Sequence, residues 1–201
     1  AGARVFKSHI ALVGNHRALL GIEVPAGSRK ADLEHLLVLL GEAARLGGGL
    51  GLRAWLDKVF ACRIPRPGRL GLAPMLNPAG RIVGDLSIAS LAEDRYLIVG
   101  SGFAEEFHLR WFWTCRPPSD VFVRSAASTL CGFSLAGPNS RDILQRLVRK
   151  DLAASAFKFF DVTETAVGYA PSIVTRAGFT GELGYEIWTT PDYFASLYDD
   201  L

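Results

Sequence analysis

The 201-residue chain sets 22 Lys and Arg against 20 Asp and Glu, a net charge of +2 that gives no reason to invoke nucleic acid or an anionic membrane surface. With 49% hydrophobic and 21% charged residues, it is long and apolar enough for one large or two small cored domains, and too apolar for disorder. No apolar run reaches the roughly 20 residues of a membrane span, and Cys62, Cys115 and Cys131 form no C-x-x-C pair.

Those cysteines read as buried thiols of a reducing compartment, with neither a disulfide frame nor a zinc site implied. The start, Ala1-Gly2-Ala3-Arg4, has no initiator Met and no secretory pattern, so a processed or partial product is expected. Residues 1–50 form a segment of their own. In it Ile10 to Val13 predicts a short strand ended by Gly14-Asn15. Asp32 to Leu46 predicts a buried helix, with Leu33, Leu36, Leu37 and Leu40 at helical spacing and Asp32 as its cap. Gly47-Gly48-Gly49 lacks the G-K-[ST] of a phosphate loop and reads as a linker. His9, His16 and His35 share no metal-ligand spacing, and no metal is expected.

From Leu52 to Phe60 the pattern predicts a short helix with Leu52, Trp55, Leu56 and Val59 on one face, broken by Pro65 and Pro67-Gly68. Arg63, Arg66 and Arg69 read as a solvated connector. Asn77-Pro78-Ala79-Gly80 predicts a hairpin-like turn, and Arg81 to Ala89 a strand. Alternation places Ile82, Gly84, Leu86 and Ile88 on one face of that strand, and Val83, Asp85 and Ser87 on the other. An acid amid such apolar neighbours is uncommon, and Asp85 is either an exposed-face residue or a functional one. Glu93-Asp94-Arg95 predicts a turn, Tyr96 to Val99 a strand, and Glu105 to Trp113 a helix whose Phe107, Trp111 and Phe112 pack a core. Pro117-Pro118 closes that unit. Val121 to Val123 and Leu130 to Leu135 predict strands, and Gly137-Pro138-Asn139-Ser140 turns into a helix over Arg141 to Leu147 capped by Asn139 or Ser140. Phe157 to Phe160 reads as a buried strand, and another lies near Ile173 to Thr175.

The most informative stretch is Arg176-Ala177-Gly178-Phe179-Thr180-Gly181-Glu182-Leu183-Gly184-Tyr185-Glu186-Ile187-Trp188. Two glycines bracket Glu182-Leu183 as a tight turn would require. After it, Tyr185, Ile187 and Thr189 alternate with Glu186 and Trp188, as in a half-buried strand. Glu182 is either a solvated turn acid or a carboxylate whose two oxygens face a ligand edge with parallel N–H donors, such as a pterin's. Without a strict β-α-β order, and with many hairpin-like joins, the chain reads as α+β with mainly antiparallel sheet. No G-x-G-x-x-G follows a strand, so a nucleotide-binding Rossmann unit is not supported.

Four segments in order resemble the folate-binding aminomethyltransferase family, which includes the glycine cleavage T-protein. They are Ala73-Pro74-Met75-Leu76-Asn77 through Gly80, Gly84-Asp85-Leu86, Leu135-Ala136-Gly137-Pro138-Asn139-Ser140-Arg141, and the stretch from Arg176 to Glu186. The resemblance covers about residues 52–201. Details such as Leu72 to Asn77 and Gly100-Ser101-Gly102 look closest to the folate domains of dimethylglycine and sarcosine dehydrogenases, and the lack of an aromatic at Leu72 implies either that branch or altered substrate packing.

This resemblance implies two similar interlocked α+β subdomains, with a boundary near residues 116–130, and a C-terminal β domain that is absent from these 201 residues. It implies tetrahydrofolate-dependent transfer of an aminomethyl or methylene group from an amine or iminium donor, giving 5,10-methylenetetrahydrofolate. Asp85 would be the catalytic carboxylate and Glu182 would fix the pterin edge. Tyr185 and Met75 would pack against the ring, and Arg176 would pair with Glu186 or neutralise a carboxylate. Implied partners are a flavin dehydrogenase domain or a lipoyl carrier protein, in the cytoplasm or the mitochondrial matrix. The alternatives are a non-catalytic folate-binding or regulatory module, and a folate-dependent demethylase acting on a sulfonium substrate.

Overall fold

The computed structural model describes residues 17–23, 48–179 and 181–201; the strand expected at Ile10 to Val13 and the helix expected at Asp32 to Leu46 lie outside them. The described residues divide into two units, one ending at Ser128 and the other beginning at Thr129. Every strand pairing among them is antiparallel, so the fold is α+β as the sequence predicts.

The first unit is built on a five-stranded sheet. Its elements are β1 (Arg17–Glu23), α1 (Gly48–Val59), β2 (Arg69–Leu76), β3 (Ile82–Ala92), β4 (Arg95–Ser101), α2 (Glu105–Thr114) and β5 (Phe122–Ser125). The strands run in the order β2-β3-β4-β1-β5. Helix α1 starts at Gly48, so two of the three glycines read as a linker belong to its first turn. Its apolar face, Leu52, Trp55, Leu56 and Val59, packs with Met75, Leu86, Ile88, Ile98 and Phe112 in one core. The Trp55 indole N–H donates to the Cys115 carbonyl at 3.0 Å, fixing α1 against the end of α2.

The turn from β2 to β3 follows from its residues. Asn77 Oδ1 accepts from the Ala79 and Arg81 amides, each at 3.0 Å, and Gly80 takes the positive φ of 75° that closes the turn. Beyond it the register shifts: Met75 opposes Gly84 while Leu76 opposes Ile82, leaving Val83 as the extra residue of a β-bulge. The bulge reverses the parity expected from alternation. Ile82 is exposed, whereas Val83 packs against the core.

Helix α2 also differs from its sequence reading. Phe112 and the partly buried Trp111 face the core, but Phe107 is exposed and His108 is 2% exposed. The imidazole fits because two strand positions beneath it carry no side chain. A Cβ at Gly84 would lie 2.7 Å from His108 Nε2, and one at Gly100 would lie 3.5 Å from its Nδ1.

The second unit holds β6 (Cys131–Ala136), α3 (Ser140–Gln145), β7 (Val162–Val167), β8 (Ala170–Thr175), β9 (Gly184–Thr189) and α4 (Pro191–Asp200), with strand order β6-β9-β8-β7. Phe133, Leu135, Val174, Tyr185 and Ile187 face Leu144, Leu152, Phe157 and Leu197 in its core. Strand β9 is buried at every position, not on alternate ones. As a central strand it is covered on both faces, which period-2 patterning does not report. The expected strand at Phe157 to Phe160 is a turn. Arg176 Nη1 donates to the Phe157 carbonyl at 2.6 Å, Asp161 Oδ2 accepts from the Lys158 amide at 2.6 Å, and Phe160 takes a positive φ of 66°. Strand β8 contains the strand expected near Ile173 to Thr175, whereas β7 and helix α4 have no counterpart in the sequence reading.

Burial holds the His108 imidazole below its ordinary value of 6.5. Between that lowered value and 6.5, the unfolded chain binds a proton that the folded protein does not, so stability should fall on acidification through this window. Thermal melts from pH 7.5 to 5 should show a steeper loss in the parent than in His108→Asn. Parallel slopes would show that His108 is not the group responsible.

Candidate functional site

The signature stretch is held by the segment that resembles the same family 40 residues earlier. The Leu183 carbonyl accepts the Gly137 amide at 2.9 Å and the Ser140 hydroxyl at 3.0 Å. That bond explains why Ser140 does not cap α3 through its side chain: the hydroxyl is committed to the other turn, and Asn139 makes no capping bond either. Two residues on, the Tyr185 hydroxyl accepts from Arg141 Nε at 3.2 Å. Gly181, at φ 80°, turns the chain, and Gly184 enters β9 where a Cβ would sit 3.4 Å from the Ala177 carbonyl oxygen. Glu182 is left exposed at the tip of this braced turn, next to the exposed Phe179.

The other residues singled out from the signature stand differently. Tyr185 is fully buried, its ring stacked on Phe157 at 6.3 Å and an interplanar angle of 5°. Arg176 spends one nitrogen on the Phe157 carbonyl, and its own amide donates to the Asp161 carbonyl at 2.8 Å. It therefore ties the turn at residues 157–161 to the end of β8. Sequence reasoning named Glu186 only as a partner for Arg176. This carboxylate is only 7% exposed, on the face of β9 that also carries Trp188, opposite Ser134 on β6 and Thr175 on β8. A carboxylate is rarely buried unless it is partnered, so the signal was there in an acid at the centre of an apolar strand.

Asp85 and Met75 belong to the other unit. Met75 is fully buried in its core, with its Cε 2.8 Å from where a Gly84 Cβ would be. Asp85 lies directly across from Pro74, on the exposed outer face of the β2–β3 ladder. Its carboxylate makes no ion pair or hydrogen bond with any described side chain. Asp85 and Met75 thus share one unit, and Glu182, Tyr185 and Arg176 the other.

These are the two turns and two acids to which the four motif segments lead. Residues 48–201 match the model of the family described as "GCVT N-terminal domain". The chain belongs to that family. Over 146 residues it is 31% identical to the mitochondrial dimethylglycine dehydrogenase of Homo sapiens, covering 72% of this chain and 17% of that protein. It is 34% identical over 125 residues to an aminomethyltransferase of Desulforamulus reducens, covering 61% and 33%. The chain thus spans a third or less of these curated relatives. Among solved structures, glycine cleavage system aminomethyltransferase T from Bartonella henselae superposes with a TM-score of 0.68 at 17% identity, over 94% of this chain and 44% of that one. Heterotetrameric sarcosine oxidase from Corynebacterium sp. U-96 gives 0.61 at 17% identity, over 94% and 80%. At such identity these two matches establish the shared fold.

Elsewhere, no group of three or more His, Cys, Asp or Glu among the described residues is placed to hold a metal ion. No helix among them is long and apolar enough to cross a membrane. The three cysteines are free and half-buried, less enclosed than the sequence reading has them. Burial pushes the Cys131 thiol up to about 11, far from a reactive thiolate.

The double grip on Leu183 is testable through stability alone. Ser140→Ala removes one of its two donors and should cost about 1 kcal/mol in urea unfolding, the usual net worth of such a bond. An unchanged midpoint and slope would show that the Gly137 amide suffices.

Proposed function

We propose that this chain is the tetrahydrofolate-binding part of an enzyme that transfers a one-carbon unit from an amine or iminium donor, giving 5,10-methylenetetrahydrofolate. The observation that carries this reading is the braced turn from Gly181 to Gly184, which presents a carboxylate in a chain of the "GCVT N-terminal domain" family. Bound tetrahydrofolate would supply the nucleophilic amine that accepts the carbon. Glu182 would take two parallel N–H donors of the pterin edge on its two oxygens. Tyr185, in the core of its unit, would support the signature turn from within, Arg176 would tie the end of β8 to the turn at residues 157–161, and Met75 would support β3 from the core of the other unit. Asp85, exposed and without a side-chain partner among the described residues, would hold the proton of the reacting amine and offset positive charge on the donor.

The relatives named dimethylglycine dehydrogenase and sarcosine oxidase support a flavin domain or subunit as the source of the donor. The aminomethyltransferase relatives support a lipoyl carrier instead. The compartment would be the cytoplasm or the mitochondrial matrix.

Two measurements test these roles. Asp85→Asn keeps the shape and removes the base, so product formation should drop by roughly 10²–10⁴-fold in kcat, with tetrahydrofolate affinity little changed. Equal turnover in parent and variant would remove Asp85 from the chemistry, and no turnover in the parent would favour a binding module. Calorimetric titration of tetrahydrofolate should show Glu182→Gln weaker by about tenfold or more, the worth of a charge-assisted bond. Should Glu182→Gln bind as the parent does while Glu186→Gln does not, the buried acid of the signature holds the edge instead.

A further inference from the structure

Helix α2 turns one side to its core and the other to solvent. His108 and Phe112 are buried, and Leu109 and Trp111 pack partly against the same core. A single 3₁₀ turn, Gly102–Ala104, leads into the helix and carries Phe103 on the outward side. Along that side run Phe103, Glu106, Arg110 and Trp113, in steps of three, four and three, the spacing of one seam on a helix. All four are exposed, Phe103 at 91% and Trp113 at 55%. Neither Glu106 nor Arg110 has a side-chain partner among the described residues, although they stand in the order that favours an ion pair along a helix.

The seam therefore has an aromatic ring at each end and opposite charges between them. Laid parallel on a copy of itself, it would set Glu106 against Glu106 and Arg110 against Arg110. Turned about a two-fold axis through the middle of the helix, it sets Glu106 against Arg110 twice, and Phe103 against Trp113 twice. Aromatic rings and arginine are also the side chains that interfaces concentrate. We propose that the outward face of α2 is the surface through which two copies of this chain pair, antiparallel and two-fold symmetric. The rings supply the apolar area and the crossed charges fix the direction. A helix of 10 residues is short for the roughly 800 Å² per partner of a standard interface, so the pair is weak and forms with rising concentration. The pairing goes beyond the proposed one-carbon transfer, which uses no residue of α2.

Sedimentation velocity of the 201-residue chain over a concentration series reads the pair directly. The parent should pass from monomer to dimer in the micromolar range. Glu106→Arg and Arg110→Glu, each alone, should raise that midpoint by about tenfold or more, because each brings like charges together twice. Both positions are exposed, so both variants should melt where the parent does. Mixing the two variants restores both crossed pairs, and the mixture should dimerise as the parent does. Phe103→Gln with Trp113→Gln should abolish the dimer at an unchanged melting temperature. A parent that stays monomeric up to about 1 mM overturns the proposal, since the face then serves a different partner or none. A dimer that survives both charge reversals overturns it too, as does a mixture no tighter than its two components.

Discussion

One carbonyl oxygen organises the Thr129–Leu201 unit. Leu183 accepts a backbone amide from Gly137 and a hydroxyl from Ser140, so both its lone-pair directions are used. Each bond is worth only about 1 kcal/mol net, but together they join two turns that the sequence keeps more than 40 residues apart. With Leu183 fixed, β9 must begin at Gly184. That start sets the register with β6 and buries Tyr185 where Arg141 and Phe157 meet it. The exposed tip at Glu182 follows from the same anchor. A carboxylate on a free loop would lose affinity to ordering on every binding event, and one on a braced turn loses little.

Both units place an acid with the help of missing side chains. In the first, His108 lies over Gly84 and Gly100 on the helix-facing side of the sheet, and Asp85 is the next residue along β3, pointing the other way. In the second, the Trp188 ring lies over Gly132, where a Cβ would collide with it, and Glu186 is its near neighbour on that face. The glycines let a bulky ring settle flat on the strand without pushing it from its register. Any residue with a Cβ at Gly84 or Gly132 would require the ring or the ladder to move. The position of each acid therefore rests on side chains several residues away, which a motif read as a string of letters does not contain.

This explains which parts were legible in the sequence. Turns were read well, because Asn77 and Gly80, or Gly181 and Gly184, carry their own local chemistry. Helices α1 and α2 were also found, since a stripe of leucines and aromatics reports one buried face. What failed depended on partners. The bulge at Val83 is a property of the β2–β3 pairing, and no pattern within β3 alone reveals it. Phe157 to Phe160 read as a strand because three phenylalanines in four residues suit one; the Arg176 guanidinium and the Asp161 carboxylate claim its backbone and bend it into a turn. Among the acids of the signature, sequence reading gave a ligand role to the one in the turn, Glu182, and left the buried Glu186 as a partner for Arg176. A turn advertises exposure, whereas burial at the centre of a sheet is settled by what lies on both faces.

The contrast between the acids bears on how each could act. A carboxylate as exposed as Asp85 sees a solvent that screens its charge, and an exposed ion pair is worth about 0–1 kcal/mol. Charge alone therefore gives it little hold on a donor and little effect on a transition state. Its influence grows when water is displaced from around it, since the same charge acts more strongly in a less polar surrounding. The leucines and isoleucine around Asp85 supply part of that surrounding before anything binds, and an occupant with its own apolar groups would supply more. Glu186 stands at the other limit. It is buried in β9, and the loss of water around it on folding is offset by the partner it has there.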